Sequence, residues 1–150
     1  MLRLNIIIIG ILVLICLSLT ACGNSGGATS GDYADGVYTA RSEDFRGEDG
    51  SETGSGYGVV ELEIKNNKVV SCTFTTYELN GTVKDESYGA DLSKENRLKA
   101  QKAAQSAGKY ASKLAETGSL DGVDAISGAT ITYNEFVDAV NKALKSASVK

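Results

Sequence analysis

The sequence predicts an α+β fold: a small antiparallel β-sheet packed against two main α-helices, one domain behind a lipoprotein-type signal peptide. Three observations predict it. Residues 58–64 alternate apolar and polar side chains, and a β-branched return segment follows a short Lys65-Asn66-Asn67-Lys68 turn. Two later stretches, 93–116 and 132–145, carry apolar residues at helical spacing. The chain has 150 residues and no internal repeat, enough for one domain with a sizeable core.

Residues 1–21 read as the targeting segment. Arg3 supplies a short positive region, and residues 6–19 an apolar run broken mildly by Gly10. A bilayer-spanning helix takes about 20 apolar residues, so this run is short for a permanent anchor. It ends in Leu19-Thr20-Ala21-Cys22, which resembles a bacterial lipoprotein cleavage box, with Cys22 as the lipid-bearing residue of the mature chain. Residues 22–34, rich in Gly, Ser, Ala and Thr, form a flexible tether to a domain spanning 35–146. Cys16 leaves with the signal and Cys22 is acylated, so Cys72 is expected to be the one free thiol, packed as a small hydrophobe.

Residues 35–41 read as a turn and first strand, and 43–57 as a polar, Gly-rich loop. In the second strand Val60, Leu62 and Ile64 share one face, with Glu61 and Glu63 on the other. Asn66 and Asn67 tolerate the positive φ of a tight hairpin. In the return strand, 69–77, Val70, Cys72 and Phe74 are assigned to the buried face. Residues 77–92 make a long connection marked by the turn signal Asn80-Gly81. Ser93 caps the first helix and Gly118 stops it. Leu98, Ala104, Ala107, Tyr110, Ala111 and Leu114 form its apolar stripe, while Lys94, Lys99, Lys102, Lys109 and Lys113 lie mainly on other faces. Leu120 anchors the loop that follows. For the second helix, Thr132 is the N-cap, Glu135 completes a capping box, and Ile131 and Phe136 form a hydrophobic staple. That helix turns Phe136, Val137, Val140, Ala143 and Leu144 to the core, and the tail beyond Ser146 frays.

Composition removes whole classes of chemistry. Formal net charge is -4, and loss of Arg3 with the signal would take it to -5, which argues against nucleic acid as a partner. With no His, neither Ser-His-Asp nor Cys-His machinery can be assembled, and His-ligated zinc and Cys-x-x-Cys-His haem attachment are excluded. Three scattered Cys cannot hold an iron–sulfur cluster within one chain. Redox chemistry here would need an organic cofactor.

The stretch Asp124-Ala125-Ile126-Ser127-Gly128-Ala129-Thr130 organises the rest. Thr130 is placed two residues ahead of the helix, among small neighbours, with its hydroxyl free. Unpaired N–H groups and the helix dipole make such a spot favourable for phosphate. Ser127-Gly128-Ala129-Thr130, with Asp124 three residues before the Ser, resembles the flavinylation motif of the FMN-binding domain family. That family includes flavin-carrying subunits of sodium-pumping and Rnf-type redox complexes and lipoproteins of extracellular electron transfer.

The resemblance is close over the motif and loose over residues 35–144. It implies FMN as cofactor, joined to Thr130 by a phosphoester that an FAD:protein FMN transferase makes. Asp124, Ser127, Gly128 and Ala129 would form the recognition and binding loop. Tyr57, in Gly56-Tyr57-Gly58, could lie against the ring. Asp85-Glu86-Ser87-Tyr88-Gly89 stands where the family carries a Glu-Thr-Pro-Gly-like loop; the Pro is missing, and Tyr88 could stack on the isoalloxazine. Tyr110 and Tyr133 are further wall candidates. One of the helix lysines could neutralise the phosphate. The sequence offers no general acid or base with a substrate pocket. The expectation is therefore an extracytoplasmic, membrane-anchored electron carrier fed by a membrane quinol or a redox complex. The alternatives are a non-catalytic ligand- or protein-binding lipoprotein of the same fold, and a flavin reductase acting on a small soluble acceptor.

Overall fold

The computed structural model describes residues 32–47 and 54–149. The signal peptide, Cys22 and most of the tether lie outside the described residues. Three antiparallel strands, β1 (Gly36–Arg41), β2 (Tyr57–Lys65) and β3 (Lys68–Tyr77), pair in the order β1-β2-β3. Two helices follow, α1 (Lys94–Thr117) and α2 (Thr130–Ala147), separated by a 3-10 turn at Leu120–Gly122. This is the α+β architecture expected. Among the described residues no helix is long and apolar enough to cross a membrane.

The alternation in β2 does what it promised: Val60, Leu62 and Ile64 are fully buried. α1 lies along β3 and α2 lies across β1 and β2, so the core fills the space between one sheet face and the two helices. Phe136, Ala139, Val140 and Ala143 from α2 and Tyr110 and Leu114 from α1 complete it. Phe74 meets Phe136 edge-on at 5.1 Å between centroids. Each large apolar side chain so enclosed stabilises the fold by roughly 1.5–3 kcal/mol. Gly58 is required by this packing, because a Cβ there would run into the Phe74 ring.

The β2–β3 hairpin turns on Asn66 and Asn67 at φ 50° and 62°. The face assignment for β3 needs correcting. Ile64 pairs with Val69 while Glu63 pairs with Ser71, so Val70 is the extra residue of a bulge. The bulge reverses the phase of the strand at that point: Val69 is buried and Val70 is 45% exposed, whereas Phe74 faces the core. Cys72 is half-buried against the core, and burial pushes its thiol up to about 12, so it stays protonated at neutral pH.

α1 begins and ends where expected. Ser93 Oγ accepts from Asn96 N–H, and Gly118, at φ 72°, donates its N–H to Leu114 O at 2.8 Å. Leu98 is corrected: it is 63% exposed. It lies nine positions before Ala107, half a turn out of phase at about 100° per residue. The C-terminal tail does not fray after Ser146. Ala34 N–H donates to Ala147 O, and Val149 N–H to Asp32 O, both at 2.9 Å. Tyr33 bridges Ser148, so the two ends of the described chain are pinned together.

Candidate functional site

α2 starts three residues earlier than the capping-box reading requires, its N-cap being Ala129 in place of Thr132. Its first residue is Thr130, and the cap has no side-chain hydrogen bond. The first intrahelical bond runs from Tyr133 N–H to Ala129 O at 2.9 Å. The Thr-x-x-Glu spacing that resembles a capping box is part of the core stripe instead. Thr132, Glu135, Phe136, Ala139, Val140, Ala143, Leu144 and Ala147 are the buried face of α2. Spacings of three and four place Thr132 and Glu135 inward, so neither can serve as a cap, and Ile131 and Phe136 do not act as a staple around them.

The shifted start changes the setting of Thr130. It is exposed and sits in the first turn, where the backbone N–H groups of Thr130, Ile131 and Thr132 have no intrahelical acceptor. No side chain at the cap satisfies them. The approach to Thr130 is a tight turn. Ala129 N–H bonds Ile126 O at 2.9 Å, and Gly128 takes φ 79°, a left-handed conformation that suits glycine. Asp124, Ser127 and Gly128 are exposed and Ala129 is buried. The side chains of Asp124, Ser127 and Thr130 make no hydrogen bond or ion pair among the described residues.

Two tyrosines hold this loop. Tyr110, 1% exposed, accepts from Ile126 N–H at 2.9 Å and donates to Ala129 O at 3.3 Å. Tyr133 donates to Val123 O at 3.0 Å and packs on Tyr110 at 5.5 Å between centroids. Both are braces of the loop rather than open faces for a ring. Tyr110→Phe removes both bonds and strands the Ile126 N–H. It is expected to cost about 1–2 kcal/mol in urea denaturation and to loosen the loop selectively, read as faster amide exchange at residues 126–129.

The other predicted walls, Tyr57 and Tyr88, have different partners. Tyr57 is half-buried, with Tyr77 stacked at 5.1 Å and the Arg41 guanidinium over the ring at 3.6 Å. Tyr88 is half-buried, and its hydroxyl accepts from Gly54 N–H at 3.1 Å. A Cβ on Gly54 would stand 3.7 Å from Ile131 Cδ1, so Gly54 connects Tyr88 to the residue beside Thr130. Tyr88 also lines a hollow of about 290 Å³ with Glu78, Leu79, Asn80, Gly89, Asp91 and Leu92. A second hollow, about 180 Å³, lies between residues 84–86 and Gln101, Ala104 and Gln105 of α1.

Sequence reasoning missed a buried ion pair behind this region. Glu135 is fully buried, and among the described residues neither carboxyl oxygen has a hydrogen-bond partner. Its nearest cation is Lys84 Nζ at 3.6 Å, itself buried, which reaches Gly54 O at 3.4 Å and stands 5.4 Å from the Tyr88 ring centroid. Burial pushes the Glu135 carboxyl up to about 7, with Lys84 opposing the shift, and burial lowers the Lys84 ammonium. No local signal announces a pair drawn from a loop and a helix so far apart in the chain.

Sequence reasoning left open which helix lysine approaches the motif. A Cβ on Gly128 would lie 3.7 Å from Lys102 Nζ. The residues present therefore fit a phosphate-bearing group: a free hydroxyl, unpaired N–H groups, a side-chain-free approach at Gly128 and a nearby ammonium. A family model described as FMN-binding domain matches residues 55–145, more than half of the chain. No curated protein and no solved structure is significantly similar to the chain.

Proposed function

We propose that this chain, which belongs to the FMN-binding domain family and has FMN as its cofactor, carries that FMN on Thr130 through a phosphoester and works as an extracytoplasmic, lipid-anchored electron carrier. The observation that supports covalent attachment is the position of Thr130: an exposed hydroxyl in the first turn of α2, beside unpaired N–H groups. The bound flavin would supply one- or two-electron transfer. Within that reading Asp124 and Ser127 present the loop to an FAD:protein FMN transferase, and Gly128 and Ala129 let a bulky group come close to the backbone beside the hydroxyl. Tyr88 is the aromatic wall, since it lines a hollow with Leu79 and Leu92. Tyr57 packs its ring against Arg41 and Tyr77, supporting β2 and β3.

The anchoring and the direction of electron flow follow from the sequence reading. Cys22 is the lipidation site, the cytoplasmic membrane's outer side is the location, and a membrane quinol or a redox complex is the donor. An ester bond suits that place, because a cofactor lost outside the cell could not be replaced there.

The test is the mass of the mature domain co-expressed with an FMN transferase. The expected result is a yellow protein heavier by one FMN less water, with the added mass on the peptide containing Thr130. Protein made without the transferase should be colourless and unmodified. An unmodified, colourless product with the transferase present would overturn the proposal.

A further inference from the structure

We infer that Lys102 is the residue that holds the flavin phosphate and that it favours ester formation at Thr130. The inference rests on the proposed attachment at Thr130 and adds the group that meets the charge.

Five lysines lie on α1. Lys99 is engaged by Glu95 at 2.7 Å and Lys113 by Glu116 at 3.1 Å. Lys102 has no ion pair or hydrogen bond among the described residues, and it is the lysine that approaches the loop, with Nζ 3.7 Å from the Cβ position of Gly128. Its place on the helix explains why. Lys102, Ser106 and Tyr110 stand at spacings of four, on one side of α1, and Tyr110 is bonded to both ends of the 126–129 turn. The helix that braces the loop therefore also brings an ammonium to it.

The chemistry needs such a charge. In the transfer, the Thr130 oxygen forms a bond to the flavin-side phosphorus of FAD. The bond from that phosphorus to the bridging oxygen breaks, AMP leaves with the bridging oxygen, and the hydroxyl proton is released. The product is a phosphodiester with one negative charge, next to the N-terminus of α2. An unpaired ammonium beside Gly128 stabilises that anion and the charge that gathers at phosphorus as the bond forms. Gly128 takes part by omission: a side chain there would begin in contact with the Lys102 ammonium, 3.7 Å from its Nζ.

The experiment follows modification of Lys102→Gln, Lys102→Glu and Lys102→Arg by a transferase with FAD, using intact mass against time, with Lys109→Gln as a control on the same helix. The expected result is modification slowed roughly five- to tenfold in Lys102→Gln and further in Lys102→Glu, near-normal in Lys102→Arg, and unaffected in Lys109→Gln, with equal thermal midpoints. A second readout separates contact with the phosphate from contact with the transferase. Acylation of Lys102 by an amine-selective reagent should be slower in the flavinylated protein than in the apo protein, while Lys109 reacts alike in both. If wild-type protein is modified but the Lys102 variants keep pace, or if Lys102 reacts equally in both forms, the inference is overturned and the Thr130 proposal stands. If wild-type protein is not modified at Thr130, both fall.

Discussion

Thr130→Ala is expected to abolish covalent FMN completely while leaving the fold intact. The side chain is exposed, at the first helical position, and makes no hydrogen bond among the described residues. Exposed substitutions of that kind change stability by within about 0.5 kcal/mol, so the variant should unfold at the wild-type midpoint but lack added mass and visible absorbance. Thr130→Ser keeps a hydroxyl in the same place and should retain modification. Thr132 is the instructive neighbour, because it is 4% exposed and turned into the core. Mass found on Thr132, or persisting in Thr130→Ala, would show that the ester is made at another hydroxyl.

The second large effect is on stability. Glu135→Ala leaves Lys84 buried without its partner, and breaking a buried pair in this way costs about 3–5 kcal/mol. Whole domains have about 5–15 kcal/mol in hand, so urea denaturation should show the loss of a large fraction. Glu135→Leu combined with Lys84→Met replaces both charges with apolar volume and is expected to be neutral or stabilising, which separates lost pairing from lost packing. The pair also has a pH signature. The folded-state Glu135 carboxyl titrates at about 7, above its ordinary value of 4.5. The folded protein therefore binds more protons than the unfolded chain between those values, and this group makes stability fall as pH rises from about 4.5 to about 7. Lys84, lowered by burial, acts in the opposite sense on the alkaline side, below the usual lysine value of 10.5. Glu135→Gln should flatten the acid-side slope, read as thermal midpoints at pH 5 and pH 7.5 that lie closer together than in wild type.

The order of elements, the sheet with one buried side and the limits of α1 were legible because they depend on short-range patterns: alternation in residues 58–64, paired Asn residues at a hairpin, and Ser and Gly at the ends of a helix. Val70, Leu98 and Thr132 depart from their expected faces, each for its own reason. A bulge shifted the phase of β3 at Val70. The six-residue buried set of α1 begins at Ala100 and leaves Leu98 on the far side. The sheet claimed Thr132 and Glu135 for the core, so the spacing of a cap became the spacing of a buried stripe. The motif was legible in its residues but not in its geometry, since the braces at Tyr110 and Tyr133 and the approach of Lys102 come from a helix and a loop meeting in space. A signal for Lys102 did exist: it lies eight positions before Tyr110, on the same side of α1. Nothing in the sequence, however, marks Tyr110 as the loop's brace. Lys84 and Glu135 carried no signal at all.

The pinning of Asp32 and Ala34 to the residues around Ala147 places both ends of the described segment at the far end of α2 from Thr130. Eighteen residues of helix at about 1.5 Å each put roughly 25 Å between them. Chain leading into Asp32 or out of Val149 therefore joins the described domain at the end of α2 away from Thr130.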